Sequence, residues 1–411
     1  MIFRISFVFC VCLLTGCASY QSRLSPARQD LVNGQCGKAL ATLQDLSSKT
    51  DGDQLVYLMD YGSALQICKE YKKSNEIFLK ADKLSEQIDY QSVSRVAGAT
   101  LLNEEMIQYK GDTFEKLFIN ASAALNYLQL GETDEALVEV RRINEKFKKF
   151  NADDKKKFEL NSFSQYLSGL IWELNQKYDD ACISYKAAYQ IDSTSRQVAL
   201  DMLRGCWLAR RTQEYDELLK QVQPTAEELK KVKQKSKDEF FVIFMQGWGP
   251  RKEPRPENHL FPHLVPVSSV TQSLQIDVVD NSSLEQKYIS QPVYNVEQAA
   301  IQTLNDDYKT LIARRVGARV AKEVLADQIR QKDKTLGNIA WLVMVASERA
   351  DLRQWSTLPQ SIHVLRLSAP KGSFTMKLKG LDRNQNVSEV FEEVSVGAGQ
   401  RQKIYLVRSL K

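Results

Sequence analysis

The sequence lacks the features by which most enzymes and metal proteins are recognised. It has only three histidines in 411 residues. It contains no H-E-x-x-H, G-x-S-x-G or dinucleotide-binding glycine pattern. It also has no C-x-x-C pair and no cysteine–histidine cluster, which are the usual sources of zinc ligands. We therefore expect no catalytic residue, no cofactor and no metal.

A strong charge of either sign and a long apolar run are also missing. The 56 basic and 51 acidic residues leave a formal charge of +5, which is too small and too dispersed to predict nucleic-acid binding. No apolar run reaches the roughly 20 residues that a membrane-spanning helix needs. Hydrophobic residues make up 43% of the chain and charged residues 26%, as in an ordinary folded protein, and the length predicts two or three domains.

The first residues have the pattern of a bacterial secretion signal. Arg4 precedes an apolar stretch that ends in Leu14-Thr15-Gly16-Cys17. These last four residues resemble the lipobox of bacterial lipoproteins, in which the peptide is cut before a cysteine whose sulfur is then acylated. The resemblance predicts a signal peptide at 1–16 and a lipid, with palmitate among its acyl chains, on Cys17. Ordinary cleavage with a buried Cys17 is the alternative.

The residue that follows the lipidated cysteine predicts the destination. Ala18 stands where an aspartate would resemble an inner-membrane retention signal. We therefore expect the protein to be anchored to the outer membrane, facing the periplasm, through a lipidated tether at 17–25. Several acyl chains on one residue give the stable anchoring that one chain cannot supply.

Four cysteines remain after the signal peptide and the lipidated cysteine are set aside. An even number in an oxidising compartment suggests disulfides. Cys36 and Cys68 lie almost symmetrically about the polar turn at 48–52, and Cys182 and Cys206 about the turn at 192–195. Residues equidistant from the turn of a helical hairpin lie side by side, so Cys36–Cys68 and Cys182–Cys206 are the predicted disulfides. Four buried free thiols are the alternative.

The region 26–223 resembles a tetratricopeptide-like array of helical hairpins. The clearest match combines small and aromatic residues at Gly169, Ala181, Tyr185 and Ala188. Weaker matches begin at Gly62 and Ala124. Small residues let paired helices approach closely, and the aromatic rings fill the space between them. The spacing is uneven, so the repeats are degenerate and the array is irregular.

Basic residues gather near the end of one predicted helix of this array. They are Arg141, Arg142, Lys146, Lys148 and Lys149. Cations are favourable at a helix C-terminus, so a solvated face is the first interpretation. Contact with an anionic glycan or lipid headgroup is the second. No aromatic residues are interleaved among them, as nucleic-acid binding would require.

The second half of the chain changes character. Pro224 ends the array, and Thr225 with Glu228 forms a capping box that opens a helical connector at 224–239. The region 240–411 reads as a smaller mixed α/β domain with an antiparallel sheet, in which the last strand pairs with an earlier one. An exposed loop is expected at 251–266. Asn295 is a candidate cap for a long helix, and 336–346 is predicted to be a core helix. The fold class is therefore α+β, with an all-α solenoid first.

Five stretches together resemble a family of uncharacterised bacterial outer-membrane lipoproteins with an N-terminal repeat array. They are Tyr109–Glu115, Ala124–Leu128, Glu139–Arg142, Gly249–Lys252 and Ala350–Pro359. The resemblance covers about residues 100–370. It implies no established activity and no catalytic residue, and it suggests a role in peptidoglycan or envelope maintenance.

Few residues invite a catalytic interpretation. His259 and His263 with Glu257 have a metal-like spacing, but neighbouring prolines disfavour the helix that would align them. His363 is expected to be packed or edge-exposed on a strand. We expect Asp351 and Arg353 to pair with each other or with backbone, while Trp355 and Leu358 fill the corner between a helix and a strand.

These observations predict a non-catalytic periplasmic lipoprotein that acts as a protein-interaction scaffold. Its helical groove would hold an envelope protein, because solenoids present large concave surfaces. The alternatives are a cell-wall or glycan hydrolase that uses Asp351 or Glu257, and a lipid or glycan carrier.

Overall fold

A computed structural model describes residues 20–94, 108–153, 155–234, 239–280, 285–346, 348–370, 372–397 and 404–411. These ranges contain an N-terminal array of helices and a C-terminal part built on β-sheets. The predicted signal peptide at 1–16 and the predicted lipidation site Cys17 lie outside the described residues.

Within the described residues, ten helices of the array pair as five hairpins. Their bounds are α1 Tyr20–Val32, α2 Cys36–Ser48, α3 Gln54–Ile67, α4 Tyr71–Ser94, α5 Thr113–Leu130, α6 Thr133–Ala152, α7 Ser162–Leu174, α8 Tyr178–Ile191, α9 Arg196–Leu208 and α10 Thr212–Val222. The prediction of repeated helical hairpins is confirmed.

Every hairpin reverses direction through the same backbone turn. The turn residue has a positive φ in each case, at Gly34, Lys69, Gly131, Gln176 and Arg210. The following N–H then donates to a carbonyl five residues earlier, as from Lys177 to Trp172 at 2.9 Å. This is the hydrogen bond of a Schellman motif. Because only two of the five turn residues are glycines, the repeated turn cannot be recognised from a glycine pattern in the sequence.

Small residues bring the paired helices together as the repeat pattern predicts. A Cβ atom added at Gly62 would lie 2.6 Å from the ring of Phe78 on the partner helix, and one added at Gly169 would lie 2.6 Å from the ring of Tyr185. Both distances are too short for a real contact. The glycines therefore set the spacing inside the α3–α4 and α7–α8 hairpins.

The C-terminal part begins with the short helix α11 (Ala226–Val232) and contains two main sheets. Its strands are β1 Glu239–Gln246, β2 Arg251–Pro254, β3 Pro262–Val265, β4 Ser273–Asp280, β5 Glu285–Ile289, β6 Pro292–Asn295, β7 Ser361–Ser368, β8 Phe374–Leu381, β9 Val387–Val390, β10 Val394–Val396 and β11 Ile404–Arg408. The first sheet has the order β11-β1-β7-β6. The second has the order β10-β8-β4-β5, with β9 also on β8.

Strand β1 lies between two apolar cores, which explains why its sequence does not alternate. Phe240, Val242 and Phe244 pack towards the second sheet. Phe241 and Ile243 belong instead to the core shared with the helical array. A strand buried on both faces is a continuous apolar run. The first sheet is therefore the layer that joins the two halves of the molecule.

The two predicted helix caps are present. The Thr225 hydroxyl accepts from the N–H of Glu228 at 3.2 Å, and the Glu228 carboxylate accepts from the N–H of Thr225 at 2.7 Å. Asn295 accepts from the N–H of Gln298 at 2.9 Å. Both helices begin where the local residue pattern predicts.

Three expectations about chain segments are wrong. Residues 20–25, expected as part of a tether, form the first turns of α1, because Tyr20 and Leu24 are buried against the rest of the protein. The loop expected at 251–266 contains the β2–β3 hairpin. Strand β11 pairs with β1 in parallel, whereas β7 pairs with β1 antiparallel. A parallel pair needs a long crossover, and here most of the C-terminal half supplies it.

A long helical hairpin leaves the body of the protein. It consists of α12 (Val296–Arg330) and α13 (Lys334–Ala346). Ring contacts of Tyr308 with Phe261 and Arg255 hold its base. Beyond them, α12 and α13 pack on each other, and we call residues 309–346 the arm.

The prediction that 336–346 forms a core helix is wrong. Leu336, Ile339, Leu342 and Val343 are exposed, because α13 packs mainly on α12 and has no second layer over it. In the part of the chain that is described, no helix combines the length and apolarity that crossing a bilayer requires.

Candidate functional site: the inner face of the helical array

The first helix of each hairpin faces the C-terminal part. We call the surface formed by α1, α3, α5, α7 and α9 the inner face. It is covered by the first sheet and by residues 350–359, which we call the docking segment. This segment runs from the end of the arm to β7 and contacts residues at the start of the chain, such as Tyr20 and Gln21. The surface expected to hold a separate protein is thus occupied by this chain itself.

Trp355 is the centre of the docking segment. Its indole N–H donates to the Ser63 hydroxyl at 2.9 Å and to the Thr357 hydroxyl at 3.1 Å. Its ring centroid lies 5.8 Å from those of Phe78 and Phe118. Trp355 is 2% exposed. It brings an aromatic ring of the C-terminal part against two aromatic rings of the helical array. Its predicted role as a filler is confirmed, although it fills the helical array as well as a corner.

Asp60 on α3 is buried and held by neutral donors. It accepts from the N–H of Thr357 at 3.0 Å, from the Thr357 hydroxyl at 2.8 Å and from the Tyr20 hydroxyl. Burial raises the pKa of Asp60 to about 6, against the opposing effect of these hydrogen bonds. This carboxyl therefore joins α1, α3 and the docking segment and titrates close to neutral pH.

Glu115 on α5 repeats this arrangement. It accepts from the N–H of Trp355 at 2.9 Å, the Tyr109 hydroxyl at 2.7 Å and the N–H of Asp112 at 2.9 Å. Burial raises the pKa of Glu115, and the nearby Asp112 raises it further. Among the described residues, neither Asp60 nor Glu115 forms an ion pair. We call Asp60, Glu115 and Trp355, with their hydrogen-bond partners, the tryptophan cluster.

Arg353 carries the ionic contact of the docking segment. Its guanidinium donates to both oxygens of Asp351, at 2.9 and 2.8 Å, and to Asp53 at 3.1 Å. The predicted Asp351–Arg353 pair is confirmed. Burial alone would raise the pKa of Asp351, but Arg353 outweighs it and lowers that pKa. A carboxylate held ionised in this way is unsuited to be a general acid.

Arg366 on β7 forms a second buried cluster at the other end of the inner face. It binds Glu173 on α7 at 2.8 Å, Asp201 on α9 at 2.9 Å and Glu239 on β1 at 3.1 Å. Arg204 also binds Glu173 at 3.0 Å. Burial would raise the pKa of Glu173, but Arg366 and Arg204 lower it to about 2. We call this set the arginine cluster.

Three of the stretches that carry the family resemblance meet at the docking segment. Glu115 binds the N–H of Trp355, Lys252 donates to the Arg353 carbonyl at 2.9 Å, and the N–H of Gly249 donates to the Leu358 carbonyl at 2.8 Å. The stretches Tyr109–Glu115, Gly249–Lys252 and Ala350–Pro359 are thus parts of one interface.

The histidines do not assemble a site. Glu257, His259 and His263 form no three-ligand cluster within the described residues, and His263 Nδ1 lies 3.1 Å from the Glu253 carbonyl oxygen. His363 is packed on β7, as expected, between the hydroxyls of Ser290 and Ser361. Burial lowers the pKa of His363 to about 4, so it is neutral at pH 7.

The four cysteines lie in the pairs that the hairpin symmetry predicts. Cys36 joins Cys68 between the antiparallel helices α2 and α3, and Cys182 joins Cys206 between α8 and α9. The predicted pairs are present, but each links one hairpin of the array to the next and does not close a single hairpin. Glu214 lies within 4.8 Å of the second pair. Two sulfurs bonded to each other are not thiolates, so this cluster is not a metal site.

Two basic residues of α6 are engaged within the array. Lys146 binds Asp82 and also donates to Asn120 at 2.8 Å, and Arg142 lies 3.3 Å from Glu139. These contacts join α6 to α4 and α5. They favour a structural interpretation of the basic helix over contact with an anionic glycan.

A groove remains open on the other side of the array, between α2, α3 and α4. Its volume is about 540 Å³. Leu58, Tyr61 and Ile77 contribute to an apolar floor, and the exposed Lys73, Glu76 and Lys80 lie on its wall. The pair Cys36–Cys68 links α2 to α3, which form two of its sides. We call it the outer groove.

Few features of the sequence indicate the buried charges. Asp60 interrupts an apolar stretch of α3, and Arg366 interrupts the apolar run of β7. A lone charge at a position that the pattern assigns to the core is the signal that could have identified both, since such a charge needs a buried partner.

Comparison with known proteins gives distant likenesses to solved structures of helical repeat proteins. No protein-family model and no curated protein match the chain. It is similar to the TPR-like repeats of a kinesin-light-chain-like protein of Podosopora anserina, with 15% identity over 52% of this chain and 97% of that chain and a TM-score of 0.34. It is also similar to MamA of Desulfovibrio magneticus RS-1, with 14% identity over 52% of this chain and 96% of that chain and a TM-score of 0.32. The helical hairpins are shown by the geometry of this structure and not by these likenesses.

Proposed function

We propose that this protein is a non-catalytic lipoprotein of the bacterial cell envelope that holds a partner protein in its outer groove. The inner face, where a partner was first expected, is covered by the docking segment. The outer groove supports the proposal because it joins an apolar floor to a wall that carries two lysines and one glutamate, beside the Cys36–Cys68 pair. Such a surface suits an amphipathic segment with acidic residues.

The proposal places the anchor at Cys17 and the body of the protein in the periplasm. Leu14-Thr15-Gly16 before the cysteine and Ala18 after it support acylation and sorting to the outer membrane. Labelling cells with a palmitate analogue tests this directly. The mature protein should carry the label and a Cys17→Ser variant should not; an unlabelled wild-type chain would contradict the anchor.

A photo-crosslinking residue placed at Lys80 tests the groove. Lys80 lines the outer groove, whereas the exposed Lys83 on the same helix does not. In intact cells, the probe at 80 should capture one partner and the probe at 83 should not. Equal capture at the two positions, or none at 80, would remove the groove from the proposal.

A substitution in the groove floor gives a second measurement. Ile77 is half-buried there, so Ile77→Glu should abolish capture from position 80 while the thermal unfolding temperature changes little. Persistence of the captured partner in this variant would show that the floor does not contribute to binding.

The alternatives receive less support. Asp351 is ion-paired, so the hydrolase alternative lacks a general acid at that position. The small pocket beside Trp355 holds about 40 Å³, which is room for water and not for an acyl chain. Wild-type protein should therefore leave purified peptidoglycan intact in a zymogram.

A further inference from the structure

Large apolar side chains are concentrated on the surface of the arm. Eight of them are exposed there: Ile312, Val316, Val320, Val324, Leu336, Ile339, Leu342 and Val343. Val320 is 60% exposed and Leu342 62% exposed. Single exposed apolar residues are common in proteins, but eight of them on one helical hairpin mark an interaction surface.

The four exposed residues of α12 recur at every fourth position. They form one continuous stripe along the helix, because side chains four apart lie one above another. On α13, Gly337 lies against Arg330 of α12, and the exposed residues lie away from that contact. The arm therefore presents apolar side chains along both of its helices, over a projecting length of roughly 30 Å at 1.5 Å per residue.

The arm is also basic next to this apolar surface. Residues 308–322 contain Lys309, Arg314, Arg315, Arg319 and Lys322 and no acidic residue. Lys322 is buried against Glu348, whereas Lys309, Arg314 and Arg319 are exposed. Apolar side chains beside lysine and arginine are the composition of helices that lie in the surface of an anionic membrane.

The docking segment and the residue just before it connect the arm to the start of the described chain. Gln21 donates to the carbonyl of Leu352 at 3.2 Å, and Arg315 of the arm donates to the carbonyl of Arg349. Cys17 precedes Tyr20 by three residues, which span at most about 11 Å. An acyl chain on Cys17 would thus enter the bilayer close to the base of the arm.

We propose that the arm lies in the surface of the same membrane that holds the lipid anchor, with its apolar side chains among the lipid chains and its arginines at anionic headgroups. The position of that membrane rests on the proposed acylation of Cys17. A bilayer fits this surface better than a second copy of the chain, because two arms meeting face to face would bring their basic residues together.

Vesicle flotation of the full mature chain with Cys17→Ser tests the arm without the anchor. The unacylated protein should float with vesicles that contain phosphatidylglycerol and less with vesicles of phosphatidylcholine alone. Leu342→Glu combined with Val320→Glu should weaken binding to the vesicles by at least about tenfold, because two apolar side chains that contact the lipid chains are replaced by charged ones. Val390→Glu is the matched control, since Val390 is 72% exposed on β9, outside the arm, and should leave binding unchanged.

Tryptophan fluorescence gives the position of the arm in the bilayer. Trp341 is the tryptophan of the arm. Brominated lipids should quench its emission, and Trp341→Phe should remove the quenchable fraction. Thermal unfolding should be unaffected by the glutamate substitutions, because both side chains are exposed in the folded protein.

Two results would overturn the proposal. One is an unacylated chain that neither floats nor shows quenching. The other is a dimer, detected by light scattering, that dissociates in the Leu342→Glu variant while vesicles are not bound; the arm would then join two copies. Palmitate labelling of wild-type protein decides the anchor separately, so failure of the arm and failure of the anchor give different results.

Discussion

Carboxyl groups at the two ends of the inner face hold the same C-terminal part by different means. In the tryptophan cluster, Asp60 and Glu115 accept from hydroxyl and backbone N–H groups. In the arginine cluster, Glu173 and Asp201 are paired with guanidinium groups. Each cluster includes a residue of a helix that a cysteine pair ties to the preceding hairpin, Asp60 on α3 in the first case and Asp201 on α9 in the second.

The two clusters differ in how their buried carboxylates are stabilised. Neutral donors satisfy the oxygens of Asp60 without cancelling its charge, so burial raises its pKa to about 6. Arginine cancels the charge of Glu173, so its pKa falls to about 2. Loss of a partner should therefore leave a cavity in the tryptophan cluster and an unpaired charge in the arginine cluster.

The largest effect is expected for Trp355→Ala. Removal of a buried indole ring should lower the free energy of unfolding by about 4 kcal/mol, as for other large core deletions. Trp355→Phe is the control, because it keeps a ring and loses only the bonds to Ser63 and Thr357, at about 1 kcal/mol. Urea unfolding measures both; an alanine variant as stable as the phenylalanine variant would show that the ring is not an anchor.

Arg366→Met should cost about 3 kcal/mol, because Glu173 and Asp201 are left buried with too little positive charge. Adding Glu173→Gln should restore part of this loss, since it removes one of the uncompensated charges. The same urea experiment applies. If the losses of unfolding free energy in the double variant are purely additive, Arg366 and Glu173 are not coupled. The proposed difference in electrostatics between the two clusters would then be wrong.

Removing either cysteine pair should cost about 2 kcal/mol. The loops they close span 32 and 24 residues, and closure entropy changes slowly with loop length, so the two losses should differ by less than about 0.5 kcal/mol. Paired serine variants measure this. Four alkylatable thiols in the unreduced wild-type protein would show that the disulfides are absent.

The smallest effect is a difference in pH dependence, of about 1–2 kcal/mol. Because the pKa of Asp60 is raised on folding, its stabilising contribution is present below about pH 4 and is lost as the pH rises through about 6. The pKa of Glu173 is lowered, so its contribution is present above about pH 4.5 and is lost as the pH falls towards 2.

Measuring the free energy of unfolding as a function of pH separates the contribution of Asp60 from that of Glu173. Asp60→Asn should reduce the first slope, to which Glu115 also contributes, and Glu173→Gln should reduce the second, to which Asp351 also contributes, with the other slope retained in each variant. Identical profiles for the two variants would contradict the assignment of opposite electrostatics to the two clusters.

Local patterns in the sequence were enough to predict the elements but not their assembly. Gly169 and Tyr185 identify a hairpin because their contact spans a single turn. The capping residues Thr225 and Asn295 work for the same reason. The helical array, the cysteine pairs and most strands were therefore predictable.

Long-range contacts could not be predicted in this way. Nothing near Asp60 in the sequence indicates that Thr357 will donate hydrogen bonds to its carboxylate. Nothing near Tyr20 indicates that its hydroxyl will donate to the carbonyl of Gln354. The apolar run at 336–346 suggested a core helix. A sequence pattern indicates that a helix surface is apolar, but it does not indicate which part of the protein packs on that surface.

The contact between Gln21 and Leu352 also constrains the order in which the chain folds. The two residues are 331 positions apart, so α1 cannot reach its final place until almost the whole chain is available. Until then the first helices of the hairpins expose apolar side chains that the later sheet will cover. We expect slow, high-contact-order folding and a need for protection by chaperones before the chain is complete. A chain truncated before residue 350 should fail to form a stable array, and not simply lose one domain.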